Sequence, residues 1–274
     1  MIELIAEIGI NHNGSLAIAK RLIDAVSATG WHVAKFQKRT PALCVPEAQK
    51  TQPKATPWGE MTYLEYKERM EFGKDEFDEI TKYCAGRPLS WTASVWDIPS
   101  LYFVLQYPVP FIKLPSAKLT DLVLLEACAK SGKPIYLSTG MSTEDEVDTA
   151  FDCLTEWNCG PLTLFHTNST YPCPNEELNL RMIQTLKSRY GCRVGYSGHE
   201  TDLEPSVMAV ALGAEVIERH ITLDKRMWGS DQAASLTVDM MEMLRRRIDG
   251  LPGMLGDGVK RVYAGEEAAK AKLR

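Results

Sequence analysis

Short β-branched or apolar runs alternate with amphipathic stretches along almost the whole of this chain. Eight runs have the length and composition of buried strands, at residues 2–8, 32–37, 89–95, 110–115, 134–139, 161–167, 193–197 and 215–221. Helical periodicity fills the intervals, at residues 16–29, 74–85, 98–106, 122–131, 144–157, 177–189, 205–212 and 238–249. Alternation of this kind is typical of βα units and predicts a parallel sheet with helices packed on it.

The length of the chain decides how those units close. A (β/α)₈ TIM barrel uses about 250 residues for one domain, and eight βα units in 274 residues fit that architecture. We therefore predict an α/β protein with a single-domain barrel over residues 1–250, and keep an open doubly wound sheet as the alternative. The hydrophobic and charged fractions, 45% and 24%, are those of a globular protein and exclude a mainly disordered chain.

Two segments fall outside the βα alternation. Residues 39–60 contain four prolines and are too long for a plain connector, so we predict an excursion over the carboxyl end of the second strand. Long βα loops of this kind often carry function. Residues 251–274 combine glycine-rich turns with a charged segment, and we expect a surface tail with nothing folded after it.

Charge and cysteine usage narrow the class of function. The chain has 31 Lys and Arg against 36 Asp and Glu, a formal charge of −5, which argues against a nucleic-acid partner. No apolar run reaches the ~18–20 residues of a membrane span, and residues 1–4 lack a signal-peptide pattern, so we expect a cytoplasmic enzyme without a membrane partner. Seven scattered cysteines without a CxxC pair favour reduced thiols over disulfides or a cysteine-bound zinc.

Polar residues stand at the carboxyl end of nearly every predicted strand. In a TIM barrel these ends carry the active site, so polar groups there are more informative than polar groups elsewhere. Any one of them could be a helix cap or a hydrogen-bonded core residue, but so many strands ending in this way favour a functional site. They are Glu7, Asn11, His12 and Asn13; Lys35 and Gln37; Thr92 and Ser94; Lys113 and Ser116; Ser138 and Thr139; residues 166–171; Ser197 and His199; and Glu218 and His220.

Two histidines in this set form a candidate metal site. His199 and His220 follow neighbouring strands, and Glu218 lies two residues before His220, so those two side chains face the same side of a strand. Two imidazoles and a carboxylate suit a divalent ion with open positions for a substrate oxygen and water. A buried structural role for either histidine is the alternative.

Two lysines lie inside apolar strands, where an ammonium group is costly unless it meets an anion. Lys35 and Lys113 could therefore hold a phosphate or a carboxylate through charge-assisted hydrogen bonds. The alternatives are that the lysines reach the barrel mouth or pair with a carboxylate such as Glu7. Hydroxyl groups that could assist the lysines are those of Thr92, Ser116 and Ser138.

Six segments together carry a resemblance to a known family. They are residues 6–14 (AEIGINHNG), 33–37 (VAKFQ), 56–67 (TPWGEMTYLEYK), 137–141 (LSTGM), 195–200 (GYSGHE) and 216–224 (VIERHITLD). In these segments the chain resembles the N-acylneuraminate (sialic acid) synthase family. The resemblance implies a (β/α)₈ barrel that condenses phosphoenolpyruvate with N-acetylmannosamine or a related aldose. It also implies a divalent metal, Mn²⁺ or else Mg²⁺ or Co²⁺.

The resemblance assigns roles to individual positions. Glu7 would be a candidate acid or base, and Glu218 would be a second catalytic carboxylate beside the metal. His199 and His220 would bind the metal. Contacts to phosphoenolpyruvate would come from Lys35, Thr92, Lys113, Ser116, Ser138, Ser169 and Ser197, and contacts to the acceptor sugar from Gln37, Tyr171 and Asp231.

Three departures from the family pattern bear on the acceptor and the phosphate site. Family members usually continue into a small antifreeze-like domain that places an arginine over the partner's sugar site, and we expect this chain to lack that domain. Lys118 stands where many relatives have an acid, which changes the charge near the expected phosphate site. Gln232 stands where a histidine is common, and we expect it to change sugar contacts but not the metal ligands.

The main functional prediction is a carbon–carbon bond-forming transferase that makes a nonulosonic acid from phosphoenolpyruvate and an N-acyl aldose. One alternative is a sibling synthase of the legionaminic or pseudaminic type, which takes a diacetamido hexose. Another is a catalytically silent sugar-binding barrel that needs a partner, although buried charges and paired imidazoles count against it. A homodimer is the expected assembly, with a separate capping protein as a further candidate partner.

Overall fold

Eight parallel strands close into a barrel in the computed structural model, which describes residues 1–157 and 159–274. A separate antiparallel hairpin is formed by the third and fourth strands. The described strands are β1 (Glu3–Gly9), β2 (Val33–Lys38), β3 (Pro53–Thr56), β4 (Gly59–Thr62), β5 (Ser90–Val95), β6 (Ile112–Leu114), β7 (Ile135–Ser138), β8 (Leu162–Thr167), β9 (Arg193–Gly198) and β10 (Val216–His220).

Each barrel strand pairs with the next barrel strand along the chain, and β10 returns to pair with β1. The predicted single (β/α)₈ barrel is therefore confirmed, and the ends of its strands lie within two residues of the predicted ones. On β1, which closes the barrel, Glu7 is the register partner of both Lys35 on β2 and His220 on β10. Residues far apart in the sequence thus meet at the carboxyl ends of the strands.

Helices cover the outside of the barrel. Ser15 caps the first of them, and Asp97 and Thr143 cap two others by accepting hydrogen bonds from backbone N–H groups. The described helices are α1 (Leu16–Ala28), α2 (Pro41–Cys44), α3 (Glu47–Lys50), α4 (Tyr63–Met70), α5 (Lys74–Cys84), α6 (Ile98–Val104), α7 (Leu122–Lys130), α8 (Glu144–Glu156), α9 (Met182–Tyr190), α10 (Glu204–Ala211), α11 (Val238–Leu255) and α12 (Ala264–Leu273).

Two helices differ from their predicted bounds by more than two residues. The helix predicted at 177–189 begins only at Met182, because the preceding residues form a turn with Asn179 at positive φ. The helix predicted to end at residue 249 continues to Leu255. Pro252 lies inside it, and because proline has no N–H, one backbone hydrogen bond of the helix is missing there.

The segment predicted as an excursion, residues 39–60, contains α2, α3 and the β3–β4 hairpin, which extends to Thr62. It leads into α4, a helix that the sequence periodicity did not predict. Thr62 and Glu65 form the capping box that starts this helix. Tyr66 on α4 then packs edge-on against Trp228 in the loop after β10, with ring centroids 5.4 Å apart. The excursion and α4 therefore cover the space between the carboxyl end of β2 and that loop.

Alternate strand residues point into the barrel and form two layers. The lower layer is buried and apolar, and Phe111 and Tyr136 stack within it with ring centroids 3.9 Å apart. Its members are Ile5, Val33, Phe111, Tyr136, Phe165 and Val216. Residues two positions further along form the polar layer above it, namely Glu7, Lys35, Lys113, Ser138, Thr167 and Glu218. The apolar layer thus excludes water from beneath the charged one.

The C-terminal part of the chain changes from buried to exposed within α11. This helix buries Met241, Leu244, Ile248 and Leu251 against the barrel, whereas residues 252–274 are exposed throughout. The segment predicted as a surface tail from residue 251 therefore begins inside α11 and includes α12. None of the helices in the described ranges is both long and apolar enough to cross a membrane.

Candidate active site

A cavity of about 260 Å³ opens at the carboxyl ends of the barrel strands. A larger cavity of about 550 Å³ adjoins it between the loops after β7 and β8, but that cavity holds neither buried lysine and neither predicted catalytic carboxylate. All but two of the predicted site residues line the smaller cavity: Glu7, Lys35, Gln37, Lys113, Ser116, Ser138, Ser169, Tyr171, Ser197, His199, Glu218 and His220. Thr92 and Asp231 do not.

Two ammonium groups and two carboxylates form one buried cluster at the base of the cavity. Lys35 Nζ lies 2.7 Å from Glu7 Oε2 and 3.5 Å from Glu218 Oε1. Lys113 Nζ lies 3.7 Å from the same Glu218 oxygen. Each of the four side chains is at most 6% exposed, so solvent screens their charges little. The two positive and two negative charges balance, and the pairing with Glu7 that sequence reasoning kept as an alternative is present.

Burial and charge together set the protonation of this cluster. Burial alone would raise the pKa of Glu218, but the ammonium groups of Lys113 and Lys35 lower it to about 2. Burial lowers the pKa of Lys113 to about 8, although Glu218 opposes the change. Burial also acts to lower the pKa of Lys35, yet Glu218 and Glu7 together raise it above its ordinary value. Lys113 is thus the lysine that can lose its proton near neutral pH.

Gly140 opens space for a set of hydrogen-bonding groups that we call the hydroxyl cradle: the hydroxyls of Ser116 and Ser169 and the N–H of Gly140. A Cβ atom at position 140 would lie 2.5 Å from Ser169 Oγ and 2.9 Å from Ser116 Oγ. The Gly140 N–H donates to Ser116 Oγ at 3.0 Å. Ser138, two residues earlier, accepts a hydrogen bond from Lys113. The cradle and this ammonium group are suited to phosphate or carboxylate oxygens.

The two predicted metal ligands lie side by side in the cavity. The ring centroids of His199 and His220 are 5.4 Å apart. His199 Nδ1 lies 2.6 Å from Asn168 O, which holds the proton on that nitrogen and leaves the lone pair on Nε2. The Tyr171 hydroxyl donates to that Nε2 at 2.7 Å. Burial lowers the pKa of His199 to about 3, so the ring is neutral, which is the form that binds metals.

This donor set fits a divalent ion held by two nitrogens. His220 Nδ1 is buried without a hydrogen-bond partner among the described residues, and the nearby Asp231 Oδ2 is 3.6 Å away. A buried polar atom in this state calls for a partner, and a metal ion would be one. Across residues 1–157 and 159–274, no group of three or more His, Cys, Asp or Glu side chains could hold an ion. Substrate and water would therefore complete the coordination.

Residues predicted to contact the acceptor surround the imidazoles. Gln37 Nε2 donates to Glu7 Oε1 at 3.1 Å, and Tyr171 stacks on His199 with ring centroids 3.9 Å apart. Asp231 lies outside the lining of the cavity, but its carboxylate approaches His220 from the loop after β10. The groups predicted to contact the acceptor therefore lie on the same side as the imidazoles.

Gln232, next to Asp231, is almost fully buried and bonds to the protein itself. Its side chain accepts a hydrogen bond from Thr222 Oγ1 and donates to Asn11 O at 3.5 Å and Trp228 O at 3.4 Å. Sequence reasoning expected Gln232 to change sugar contacts. The structure instead places its amide inside the loop after β10, where it ties that loop to the one after β1.

Two residues singled out in the sequence are engaged elsewhere. Thr92 Oγ1 is fully buried and donates to Phe111 O at 2.8 Å, below the cavity. Lys118 Nζ pairs with Asp121 Oδ2 at 3.1 Å, so its charge is compensated within its own turn.

Other lining residues had no predicted role. Ser94 accepts a hydrogen bond from Lys35 at 2.9 Å, and its spacing of two from Thr92 on β5 was the signal for it. Trp96 and Met141 also line the cavity, but no local sequence pattern distinguishes them.

Comparison with known proteins identifies the family. Residues 22–260 match the model of the NeuB family. The chain belongs to the NeuB family. A human protein named N-acetylneuraminate-9-phosphate synthase is 37% identical to this NeuB-family chain over 278 residues, which cover 98% of the chain and 76% of that protein. The N,N′-diacetyllegionaminic acid synthase of Campylobacter jejuni is 34% identical over 268 residues, covering 96% of this chain and 80% of the relative.

A solved structure agrees with this NeuB assignment. The N-acetylneuraminic acid (sialic acid) synthetase of Leptospira borgpetersenii, in complex with citrate, matches with a TM-score of 0.87 and 30% identity. The match covers 99% of this NeuB-family chain and 90% of that one. The family predicted from six sequence segments is therefore confirmed. Five of the six segments contribute side chains to the lining of the cavity, among them Glu7, Lys35, Ser138, His199 and His220.

Proposed function

We propose that this protein is a metal-dependent transferase that condenses phosphoenolpyruvate with N-acetylmannosamine, or a related 2-acetamido aldose, to give N-acetylneuraminate or another nonulosonic acid plus phosphate. The observation that carries the proposal is one cavity in which two buried lysines, the hydroxyl cradle and two imidazoles face one another. The names of two relatives, at 37% and 34% identity, support it.

Lys35, Lys113 and the hydroxyl cradle are the proposed phosphoenolpyruvate site. Ammonium groups and hydroxyls donate to carboxylate and phosphate oxygens, and their burial strengthens each contact. The four charges of the cluster already balance, however, because Glu7 and Glu218 pair with the lysines. A multiply charged anion at this position therefore needs additional positive charge nearby.

His199 and His220 are the residues that would hold a divalent ion. When bound there, the ion would offset substrate charge and polarise the aldehyde oxygen of the acceptor. Two nitrogen donors favour Mn²⁺ or Co²⁺ over Mg²⁺, which prefers oxygen ligands. We propose Mn²⁺, with Co²⁺ and Mg²⁺ as alternatives.

The proposed reaction forms one carbon–carbon bond and one carbon–oxygen bond and breaks the carbon–oxygen bond to phosphate. C3 of phosphoenolpyruvate adds to the aldehyde carbon and a water adds at C2. The C2–O bond to phosphate then breaks, and the new C2 hydroxyl gives its proton to the departing phosphate as the keto group forms. Glu7 takes the proton that this water loses and returns it to the new alkoxide, so that one water is consumed overall. Glu7 is given this role because its carboxylate lies on the acceptor side of the cavity, where Gln37 donates to it at 3.1 Å.

Glu218 has a different role in this proposal. Because its pKa is lowered to about 2, it is a weak base at neutral pH. Its carboxylate instead faces both ammonium groups and accepts a hydrogen bond from Ser197 at 3.1 Å. Glu218 therefore holds the lysines charged and in position for the anionic substrate.

N-acetylmannosamine is the proposed acceptor, contacted by Gln37, Tyr171 and Asp231. A modified diacetamido hexose is the alternative, favoured by the 34% identity to a diacetyllegionaminic acid synthase. A comparison of their turnover distinguishes the two acceptors.

The decisive experiment measures inorganic phosphate released from phosphoenolpyruvate by the purified protein. We expect release that requires N-acetylmannosamine and Mn²⁺ together, and that EDTA abolishes. The diacetamido hexose is assayed in parallel to test the alternative acceptor. Metal binding without phosphate release from any of a panel of aldoses would overturn the proposal and favour a silent barrel that needs a partner.

Assembly as a homodimer stays a prediction. Sedimentation velocity of the purified chain would test it, since a dimer has twice the monomer mass of 30.6 kDa. A separate capping protein stays a prediction as well, which turnover restored only by an added partner would support.

A further inference from the structure

A buried ion pair lies next to the two imidazoles of the active site, on the outer face of the barrel. Arg219 stands between Glu218 and His220 on β10, and alternate strand residues face opposite sides, so its side chain points away from the cavity that those two line. Glu200 directly follows His199 in the chain. Arg219 Nη1 lies 2.8 Å from Glu200 Oε1, and the two side chains are 0% and 1% exposed. One ion pair therefore joins the chain neighbours of both imidazoles.

The guanidinium of Arg219 binds more than this carboxylate. It also donates hydrogen bonds to Glu200 O, to Asp202 O at 3.0 Å and to Ser206 Oγ at 2.9 Å. Asp202 belongs to the loop after β9, and Ser206 lies on α10. Arg219 on β10 therefore fixes the course of the backbone from His199 to the start of α10.

The Glu200 carboxylate is held from its other side by β9. Tyr196 Oη donates to Glu200 Oε2 at 2.8 Å. Gly198 leaves room for the carboxylate, because a Cβ atom at that position would lie 2.6 Å from Oε2 and 2.7 Å from Oε1 of Glu200. Gly198 is also the register partner of Arg219. The carboxylate thus folds back over the end of β9 and links that strand to β10 beside the residue that precedes His199.

The stability of the barrel does not by itself require a charged pair at this position. Burying two ions removes them from water, and well-packed apolar residues in place of such a pair are often as stable or more stable. The outward-facing neighbours Ala6 on β1 and Ile217 on β10 are apolar. A guanidinium differs from an apolar side chain because its planar set of donors fixes several partners in one geometry. The pair is therefore suited to fixing positions, and the adjacent positions are those of His199 and His220.

We propose that Arg219 and Glu200 are positioning residues: they hold the two imidazoles in the relative positions at which both can bind one divalent ion. The inference rests on the metal site of the proposed function, in which the ring centroids of His199 and His220 are 5.4 Å apart. Neither Arg219 nor Glu200 lines the cavity, so both act through the backbone of their chain neighbours. Removal of groups that orient metal ligands typically lowers metal affinity by about tenfold or more.

The test uses the double variant Glu200→Leu, Arg219→Met, which removes both charges together and leaves neither one buried alone. We expect cooperative urea unfolding, which shows that the barrel has folded. Titration with Mn²⁺ followed by electron paramagnetic resonance should show affinity lowered by about tenfold or more. Wild-type Mn²⁺ affinity in the folded double variant would overturn the inference, because a pair with only a structural role would leave metal binding unchanged.

Arg219→Lys is a second variant, which keeps the positive charge but not the planar set of donors. We expect it to fold and to bind Mn²⁺ more weakly than the wild type, and unchanged affinity would overturn the proposed role of the guanidinium. The matched control is the double variant Glu3→Leu, Arg193→Met. Arg193 Nη1 lies 2.9 Å from Glu3 Oε2 at the amino ends of β9 and β1, so its removal should leave Mn²⁺ affinity unchanged. An equal loss in the control would overturn the inference.

Nuclear magnetic resonance of the metal-free protein tests the same inference without the ion. The His199 Nδ1 proton, which faces Asn168 O at 2.6 Å, should exchange slowly with water in the wild type and about tenfold or more faster in the Glu200→Leu, Arg219→Met variant. His32, whose Nδ1 accepts from the Leu4 N–H at 2.9 Å, is the internal reference and should not change.

The two measurements separate the inference from the proposed function. A wild type that binds no Mn²⁺ would contradict the metal site of the proposed function, and faster exchange at His199 alone would then still support the positioning role. Unchanged exchange at His199 in the double variant would overturn the positioning role whatever the result with Mn²⁺.

Discussion

Glu7 and Lys35 are register partners on adjacent strands, and Lys35 Nζ lies 2.7 Å from Glu7 Oε2 at the base of the active-site cavity. Lys35 also faces Glu218 on β10 at 3.5 Å. The strand pairing that closes the barrel therefore brings together charges that are buried and that the proposed chemistry uses. Stability and the proposed chemistry therefore depend on the same ion pairs.

Removing one member of this cluster is expected to cost stability. Lys35→Met should lower the free energy of unfolding by about 3 kcal/mol or more, because two buried carboxylates lose their nearest cation. Urea denaturation measures the change. The double variant Glu7→Gln, Lys35→Met should recover part of the loss. Lys187 pairs with Glu215 at 3.1 Å in a half-exposed ion pair, so Lys187→Met should cost less than about 1 kcal/mol. Unchanged stability in Lys35→Met would contradict this account.

The affinity for phosphoenolpyruvate is expected to fall at alkaline pH. Lys113, with a pKa of about 8, carries its proton below that pH and binds the anion as an ammonium group. Above it the free protein must take up a proton to bind, so KM should rise about tenfold per pH unit. Steady-state kinetics from about pH 6.5 to about pH 9.5, on both sides of that pKa, check this. Lys113→Gln should have a higher KM for phosphoenolpyruvate at neutral pH, and this KM should not begin to rise near pH 8. The same rise near pH 8 in that variant would exclude Lys113 as its cause.

Gly140→Ala is expected to disrupt the hydroxyl cradle. The new methyl group would lie 2.5 Å from Ser169 Oγ and 2.9 Å from Ser116 Oγ, so both hydroxyls must move. We expect KM for phosphoenolpyruvate to rise about tenfold, with a stability loss of about 1–3 kcal/mol from overpacking. Gly253→Ala is the control, because no atom lies within 4 Å of the added methyl group. A normal KM in Gly140→Ala would argue that the cradle does not hold the substrate.

His220→Ala is expected to weaken metal binding while the barrel stays folded. The substitution removes a nitrogen donor that has no other partner among the described residues. Titration with Mn²⁺ followed by electron paramagnetic resonance should show affinity lowered by about tenfold or more. His32→Gln, at the amino end of β2, is the control. Equal Mn²⁺ affinity in a folded His220→Ala variant would refute the assignment of this ligand.

The alternation of apolar runs and helical patterns was sufficient to predict the barrel, since each barrel strand, even the three residues of β6, lies in an apolar run next to a helical pattern. Residues 39–70, which were not predicted in detail, lack the long buried runs of the barrel strands. Strands β3 and β4 of this segment are short and half exposed, so they show no buried period-two pattern. The late start of α9 at Met182 was equally invisible, because it depends on the local backbone at Asn179.

The site was predictable where it follows strand register and not where it follows loop geometry. Glu7, Lys35 and Glu218 lie at alternating positions of their strands, and the barrel brings them together as the topology requires. Thr92 has the same kind of position, yet its hydroxyl is engaged by a backbone carbonyl. The contact of α4 with the loop after β10 joins residues more than a hundred positions apart, which no local pattern could indicate.

The pairing of β10 with β1 also has a consequence for synthesis of the protein. Glu7 is made early, but its register partner His220 and the carboxylate of Glu218 belong to the last strand. A nascent chain that has folded its first strands holds Lys35 and Lys113 without the counter-charge that Glu218 supplies. Docking of β10 then neutralises the interior and completes the set of reactive groups at once. A nascent chain therefore cannot assemble the complete set of groups until β10 has left the ribosome.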